Sequence, residues 1–176
     1  MKMKLRALTC LLFLFFWGAC AAARVYCQQP TSPDNDVLEP VDGKKDLYPA
    51  DADATKEIDA ALQQAATGQK RVMLVFGGNW CYDCHVLDRA LHEGTAGEIM
   101  QAGFLLVLVD IGEGGKNLDL TKKYKVPLEK GVPAVAILDS DGKLIYHSGD
   151  GEFEDARRMM KKDLVSFLRR WKESSP

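Results

Sequence analysis

The sequence predicts an α/β domain: a central mixed β-sheet of about four to five strands, flanked by helices on both faces. Three observations predict it. Strand-length apolar runs, "RVMLVFGG" and "FLLVLVD", suit strands buried on both faces. Stretches with apolar residues at helical spacing precede, separate and follow them. Two further runs, "GVPAVAILD" and "GKLIYHS", flank Ser140-Asp141-Gly142, an Asp-Gly turn of the hairpin kind. The order reads α-β-α-β-α-β-β-α. Strands interleaved with helices, then a closing hairpin, require a layered sheet.

The N-terminal stretch is unlike the rest. Lys2, Lys4 and Arg6 precede an almost wholly apolar run from Leu8 to Trp17, followed by "GACAAAR". That is the layout of a secretory signal peptide, with an apolar run short for a membrane span. Residues 1–23 are read as the signal peptide, cut after Ala23, which implies export to a periplasmic or other extracytoplasmic compartment. The alternative is a lipoprotein anchored through Cys20. Loss of the leader removes three cations and no anion, moving the formal charge from −2 to −5. A mildly acidic domain without a basic run is no nucleic-acid binder. At 176 residues, 47% of them hydrophobic, the chain holds one compact domain plus attachments and is expected to be a monomer.

Residues 24–50 are read as a flexible linker, because Gln28 to Pro49 carries four prolines, several aspartates and little apolar periodicity. The domain is placed at 51–173. Its first helix can be capped by Asp51 or Asp53, aligns Ile58, Ala61, Leu62 and Ala65, and stops at Gly68. After the first strand a helix carries Val86, Leu87, Leu91, Ile99 and Met100, with a break near Gly94-Thr95. "GEGGKNLDLTKKYKV" reads as a loop and a short helix through Tyr124, and lacks phosphate-loop spacing. From Phe153 to Trp171, the residues Met159, Met160, Leu164, Phe167, Leu168 and Trp171 fit a closing helix packed on the sheet.

Chemistry concentrates in "GGNWCYDCHVLD", Gly77 to Asp88. Of the five cysteines, Cys10 and Cys20 lie in the leader, Cys27 is read as an incidental thiol on the flexible arm in preference to a resolving partner, and only Cys81 and Cys84 fall in the patterned region. With His85 they spell the c-type haem attachment sequence; without it they are a redox dithiol. Cys81 follows a buried strand and stands where a helix begins, and unpaired N–H groups and the helix dipole favour an anion there. A thiolate is such an anion, and it is the nucleophile of disulfide exchange. One turn apart, the sulfurs can close a small ring. The first is expected to face solvent and attack, and the second to be covered and to resolve the mixed disulfide. Haem would need both sulfurs and His85 turned to a flat ring, plus a second axial ligand. Met73 lies in a strand, and Met100, Met159 and Met160 fit core faces. The dithiol reading is preferred. Zinc through Cys81, Cys84, His85 and His92 matches no familiar spacing. No metal or organic cofactor is expected.

"VMLVFGGNWCYDC", followed later by "GVPAVAILDSDGK", resembles the thioredoxin superfamily, above all its exported thioredoxin-like and reductase-type thiol-disulfide interchange domains. The likeness covers about Asp51 to Trp171. It implies a thioredoxin fold and exchange with protein thiols and disulfides. It also implies a cis bond before Pro133, with Pro133 lying against the cysteines and the Val132 backbone pairing with an extended substrate. Trp80 is expected to shield the sulfurs and line that substrate surface. Reduction is favoured over oxidation, which implies a membrane-bound or thioredoxin-linked electron donor. A non-catalytic peptide-binding module that kept the fold is the competing class. Three departures stand out. Val75 occupies the place where such proteins commonly carry a buried aspartate. Asp83 inside the motif should raise the thiol pKa values, and His85, if protonated, should lower them. "PLEKG", Pro127 to Gly131, lengthens the loop before Val132 and is expected to shape partner choice.

Overall fold

A computed structural model describes residues 36–113 and 115–173. The chain divides into two units, Met1–Pro30 and Thr31–Pro176, and every described residue belongs to the second. The expected signal peptide, Cys20, Cys27 and the start of the linker lie outside the described residues.

The order of elements is α1 (Ala54–Gly68), β1 (Arg71–Gly77), α2 (Tyr82–His92), α3 (Gly94–Gly103), β2 (Phe104–Asp110), α4 (Leu118–Lys123), β3 (Ala134–Leu138), β4 (Leu144–His147) and α5 (Lys161–Glu173). The sheet has four strands in the order β2-β1-β3-β4. β1 runs parallel to β2 and antiparallel to β3, and β3 pairs antiparallel with β4, so the sheet is mixed. Period-two alternation sends successive β1 side chains to opposite faces. Met73 and Val75, with Val135 and Ile137 of β3, pack under Leu87, Met100, Leu164 and Leu168 of α2, α3 and α5. Val72, Leu74 and Phe76 pack on the other face against Ile58 and Ala65 of α1 and Leu120 of α4. Fully burying each such side chain stabilises by about 1.5–3 kcal/mol. Two cores thus clamp β1 in the middle, and the loop at its C-terminal end starts from a rigid base.

Local signals explain the boundaries. Asp53 caps α1, its Oδ1 accepting the Lys56 amide at 3.2 Å. The helical stretch after the cysteines divides at Glu93, which is extended, giving α2 and α3. The closing helix starts later than its apolar spacing suggests, at Lys161 rather than near Phe153. Phe153 and Ala156 are buried, but the chain there forms a 3-10 turn, Ala156–Arg158. Met159 is extended and its carbonyl accepts the Leu38 amide at 2.9 Å, while Met160 bridges Val37. A long-range pairing has replaced the helix there.

That pairing also corrects the linker. The stretch expected to be a flexible tether up to residue 50 is, from Asp36 on, packed on the domain as a strap. Leu38, Leu47 and Tyr48 are buried. The Pro40 carbonyl accepts Arg89 Nη1 at 2.8 Å, and Lys45 Nζ meets Asp88 at 3.2 Å. Proline and aspartate made this stretch look unstructured, yet Leu38, Leu47 and Tyr48 each join a core. The strap ends beside Cys81 and Cys84.

Candidate active site

Cys81 is the N-cap of α2, with extended dihedrals (φ −86°, ψ 105°), and its Sγ accepts the Cys84 amide at 3.1 Å. The cap position explains why a sulfur sits at the positive end of the helix, where unsatisfied N–H groups await an anion. Cys81 and Cys84 form a disulfide with Cα atoms 5.3 Å apart. The Val132–Pro133 peptide bond is cis, and the Val132 carbonyl oxygen lies 3.6 Å from Cys81 Sγ. Leu47 and Tyr48 of the strap, with Leu108 and Val132, complete a small apolar chamber around both sulfurs.

The two cysteines differ in the expected sense, but by less than expected. Cys81 keeps 5% of its surface exposed and Cys84 1%. Cys81 therefore does not stand open to solvent; Leu47, Tyr48 and Val132 close over the pair from two sides. Trp80, by contrast, is 58% exposed, and its Nε1 donates to the Gly112 carbonyl at 2.6 Å. It forms one wall of an open groove whose other lining includes Ile111, Leu128, Glu129, Gly131 and Val132. The "PLEKG" insertion thus borders the groove, as a 3-10 turn, Leu128–Lys130, followed by Gly131 at φ +102°.

The two residues expected to tune the thiols are both buried and hydrogen-bonded. Asp83 is buried, and its Oδ1 accepts the Arg157 amide at 2.8 Å and Arg157 Nε at 3.0 Å, while Arg157 Nη2 reaches Oδ2. Asp83 in turn holds the Arg157 guanidinium above its ordinary pKa. The carboxylate is therefore no lone negative charge beside the sulfurs. His85 is buried as well, and its Nε2 lies 2.9 Å from the Asn79 carbonyl oxygen, donating in the tautomer that carries the proton there. That contact engages the ring nitrogen with a backbone carbonyl, whereas the haem alternative requires a ring free to ligate. His92 Nδ1 approaches the Asp88 carbonyl at 2.7 Å.

Sequence reasoning missed three residues. Asn79 fastens the strap: its Oδ1 accepts the Leu47 and Tyr48 amides at 2.9 and 3.0 Å, and its Nδ2 donates to the Tyr48 carbonyl at 2.9 Å. Arg157 neutralises Asp83. Tyr48 brings a hydroxyl to the sulfur chamber, and burial, followed by the nearby Asp88 and Asp110 charges, pushes its pKa upward. Only Asn79 carried a signal, since it lies inside the conspicuous motif.

A disulfide at a helix start, buried among apolar side chains, with the Val132 carbonyl against it and an open groove lined by Val132, can perform thiol-disulfide exchange. A family model described as Thioredoxin-like matches residues 53–140. A crystal structure of a disulphide isomerase from Xylella fastidiosa Temecula1 is similar, at 34% identity and TM-score 0.69, covering 74% of this chain and 99% of that one. A structure called DsbH Oxidoreductase, at 20% identity and TM-score 0.51, covers 84% of this chain and 94% of its own, and shares the fold. The Schizosaccharomyces pombe protein named "Putative protein disulfide-isomerase C1F5.02" is 28% identical over 119 residues, 68% of this chain. This chain spans only 23% of the length of that relative.

Proposed function

The chain belongs to the thioredoxin-like family, and on that premise we propose that it is an exported protein-disulfide oxidoreductase, acting through Cys81 and Cys84 in the direction of reduction. The observation that carries the reading is the position of the sulfur pair, at the start of α2 and against the Val132 carbonyl. In the forward cycle the Cys81 thiolate attacks one sulfur of a substrate disulfide. A Cys81–substrate bond forms, and the other substrate sulfur leaves as a thiolate. Cys84 then attacks Cys81 Sγ, releasing the second substrate thiolate and closing the internal disulfide. Two electrons have passed to the substrate. A membrane-bound or thioredoxin-linked dithiol must return them.

Burial supports the direction. Thiolates enclosed by Leu47, Leu108 and Val132 are desolvated, which disfavours the reduced, ionised pair and lowers its potential. The Asp83 charge, matched by Arg157, adds little to this. The Trp80 groove fits an extended segment of a protein substrate lying along Val132, with the "PLEKG" turn at its rim. Export rests on the leader-like N-terminus.

Insulin reduction tests the activity. The protein should precipitate insulin chains in the presence of dithiothreitol faster than the reductant alone, and Cys81→Ser should fall to the background. Equal rates for the two proteins would remove the enzymatic reading and leave a peptide-binding module. Equilibration with glutathione tests the direction: a pair more reducing than glutathione is expected, and a strongly oxidising pair would reverse it.

A further inference from the structure

Tyr48 is 2% exposed, and its hydroxyl has no hydrogen-bond partner among the described residues. Folded proteins rarely leave a buried hydroxyl in that state, because nothing repays its desolvation. Its position is specific. A Cβ placed on Gly77 would lie 2.5 Å from Cys84 Sγ and 2.6 Å from the Tyr48 hydroxyl oxygen. The sulfur and the hydroxyl therefore crowd the same small space over a residue that has no side chain to fill it. Asn79 fixes the tyrosine from behind through its three contacts to Leu47 and Tyr48. Val75, on β1, offers no acid or base.

A disulfide sulfur is neutral and a weak acceptor, so the hydroxyl gains little while Cys81 and Cys84 are bonded. The balance changes when the pair is recharged. A thiolate of the electron-donating dithiol attacks Cys81 Sγ and bonds to it, the Cys81–Cys84 bond breaks, and its electron pair goes to Cys84 Sγ. That sulfur becomes a buried thiolate, a far stronger acceptor. We propose that the Tyr48 hydroxyl donates the hydrogen bond that receives this Cys84 thiolate. The proposal rests on the oxidoreductase reading and names a group within it. The proton stays on Tyr48 throughout: burial and the Asp88 and Asp110 charges disfavour the phenolate, so the group acts as a donor only. Asp83, next to Cys84 in the sequence, is matched by Arg157 and does not compete.

The hydroxyl is then partnered in the reduced form and orphaned in the oxidised form. Removing it should destabilise the first without harming the second. Tyr48→Phe in the full chain, equilibrated with glutathione and read by thiol alkylation and mass, should show an equilibrium constant for reduction about tenfold lower, about 30 mV in potential for a two-electron couple. Its oxidised form should melt no lower than the parent, since the phenylalanine still fills the chamber. A potential unchanged or raised, with the fold intact, would overturn the role. Should Tyr48→Phe not fold, 3-fluorotyrosine at position 48 keeps the ring and strengthens the donor: the potential should rise, and an unchanged value would equally overturn the proposal. A parent protein that neither exchanges with glutathione nor reduces insulin would instead sink the oxidoreductase reading itself, so the two failures are distinguishable.

Discussion

Replacing Asn79 with alanine should unfasten the strap from the sulfur pair. The side chain accepts two amides, from Leu47 at 2.9 Å and Tyr48 at 3.0 Å, and donates to the Tyr48 carbonyl at 2.9 Å and to Asp46 Oδ1 at 2.6 Å. Leu47 and Tyr48 are both buried, so their backbone groups lose partners inside the protein. Each buried polar group left unpaired costs about 1–3 kcal/mol, so two dry amides alone would approach 6 kcal/mol at the upper end. Asn79 is itself exposed, however, and water can enter behind an alanine. A net loss of about 2 kcal/mol is expected on that ground. For a domain of this size it corresponds to a midpoint roughly 6–8 °C lower. Urea unfolding of the oxidised protein measures the stability directly. Alkylation of Cys84 in the reduced protein reports the strap separately, and it should accelerate because Leu47 and Tyr48 no longer cover the sulfur. A stability change below about 0.5 kcal/mol, the range of an ordinary surface substitution, together with unaltered Cys84 labelling, would refute this account of the strap.

Other outcomes follow from the same contacts. Arg157→Gln leaves the Asp83 carboxylate unmatched near the start of α2. A negative charge there disfavours a thiolate, so alkylation of Cys81 should slow by roughly threefold at neutral pH, with its pH profile moved upward; an unmoved profile would show that Asp83 does not reach the sulfurs. Gly77→Ala puts a methyl group 2.5 Å from Cys84 Sγ and 2.6 Å from the Tyr48 hydroxyl. It should perturb the pair and cost about 1–3 kcal/mol as overpacking, and a variant with parental stability and potential would contradict the crowding described here. Deleting Pro127–Gly131 should change which protein disulfides are reduced while circular dichroism stays the same, and unchanged selectivity would remove the loop from recognition.

Legibility in the sequence followed contact distance along the chain. That Cys81 stands where a helix begins, directly after a buried strand, was readable from the apolar run before it, whereas the cis bond before Pro133 was legible only through the resemblance. The layering was readable for the same reason: period-two and helical patterns report which face is buried. What escaped depends on pairs far apart in sequence. Tyr48 lies in a stretch whose prolines and aspartates suggested a tether, and its role emerges only where Gly77 and Cys84 meet it. Arg157 sits in what looked like the opening of the last helix, and its partner Asp83 is on another element. Met159 and Met160 had helical spacing with Leu164, yet Met159 pairs with Leu38 and Met160 bridges Val37, and the helix begins only where the Met160 carbonyl accepts the Asp163 and Leu164 amides. His85 was read for its charge beside the cysteines, and its burial and its contact with the Asn79 carbonyl show only in the fold.

The central claim is that Cys81 is the attacking sulfur and Cys84 the one that resolves. Trapping measures it most directly. Cys84→Ser, mixed with an oxidised protein substrate, should accumulate a covalent adduct that dithiothreitol dissolves and that peptide mapping places on Cys81. Cys81→Ser should accumulate far less, because Cys84 is enclosed. An adduct formed equally well through Cys84, or none with either variant, would contradict the account.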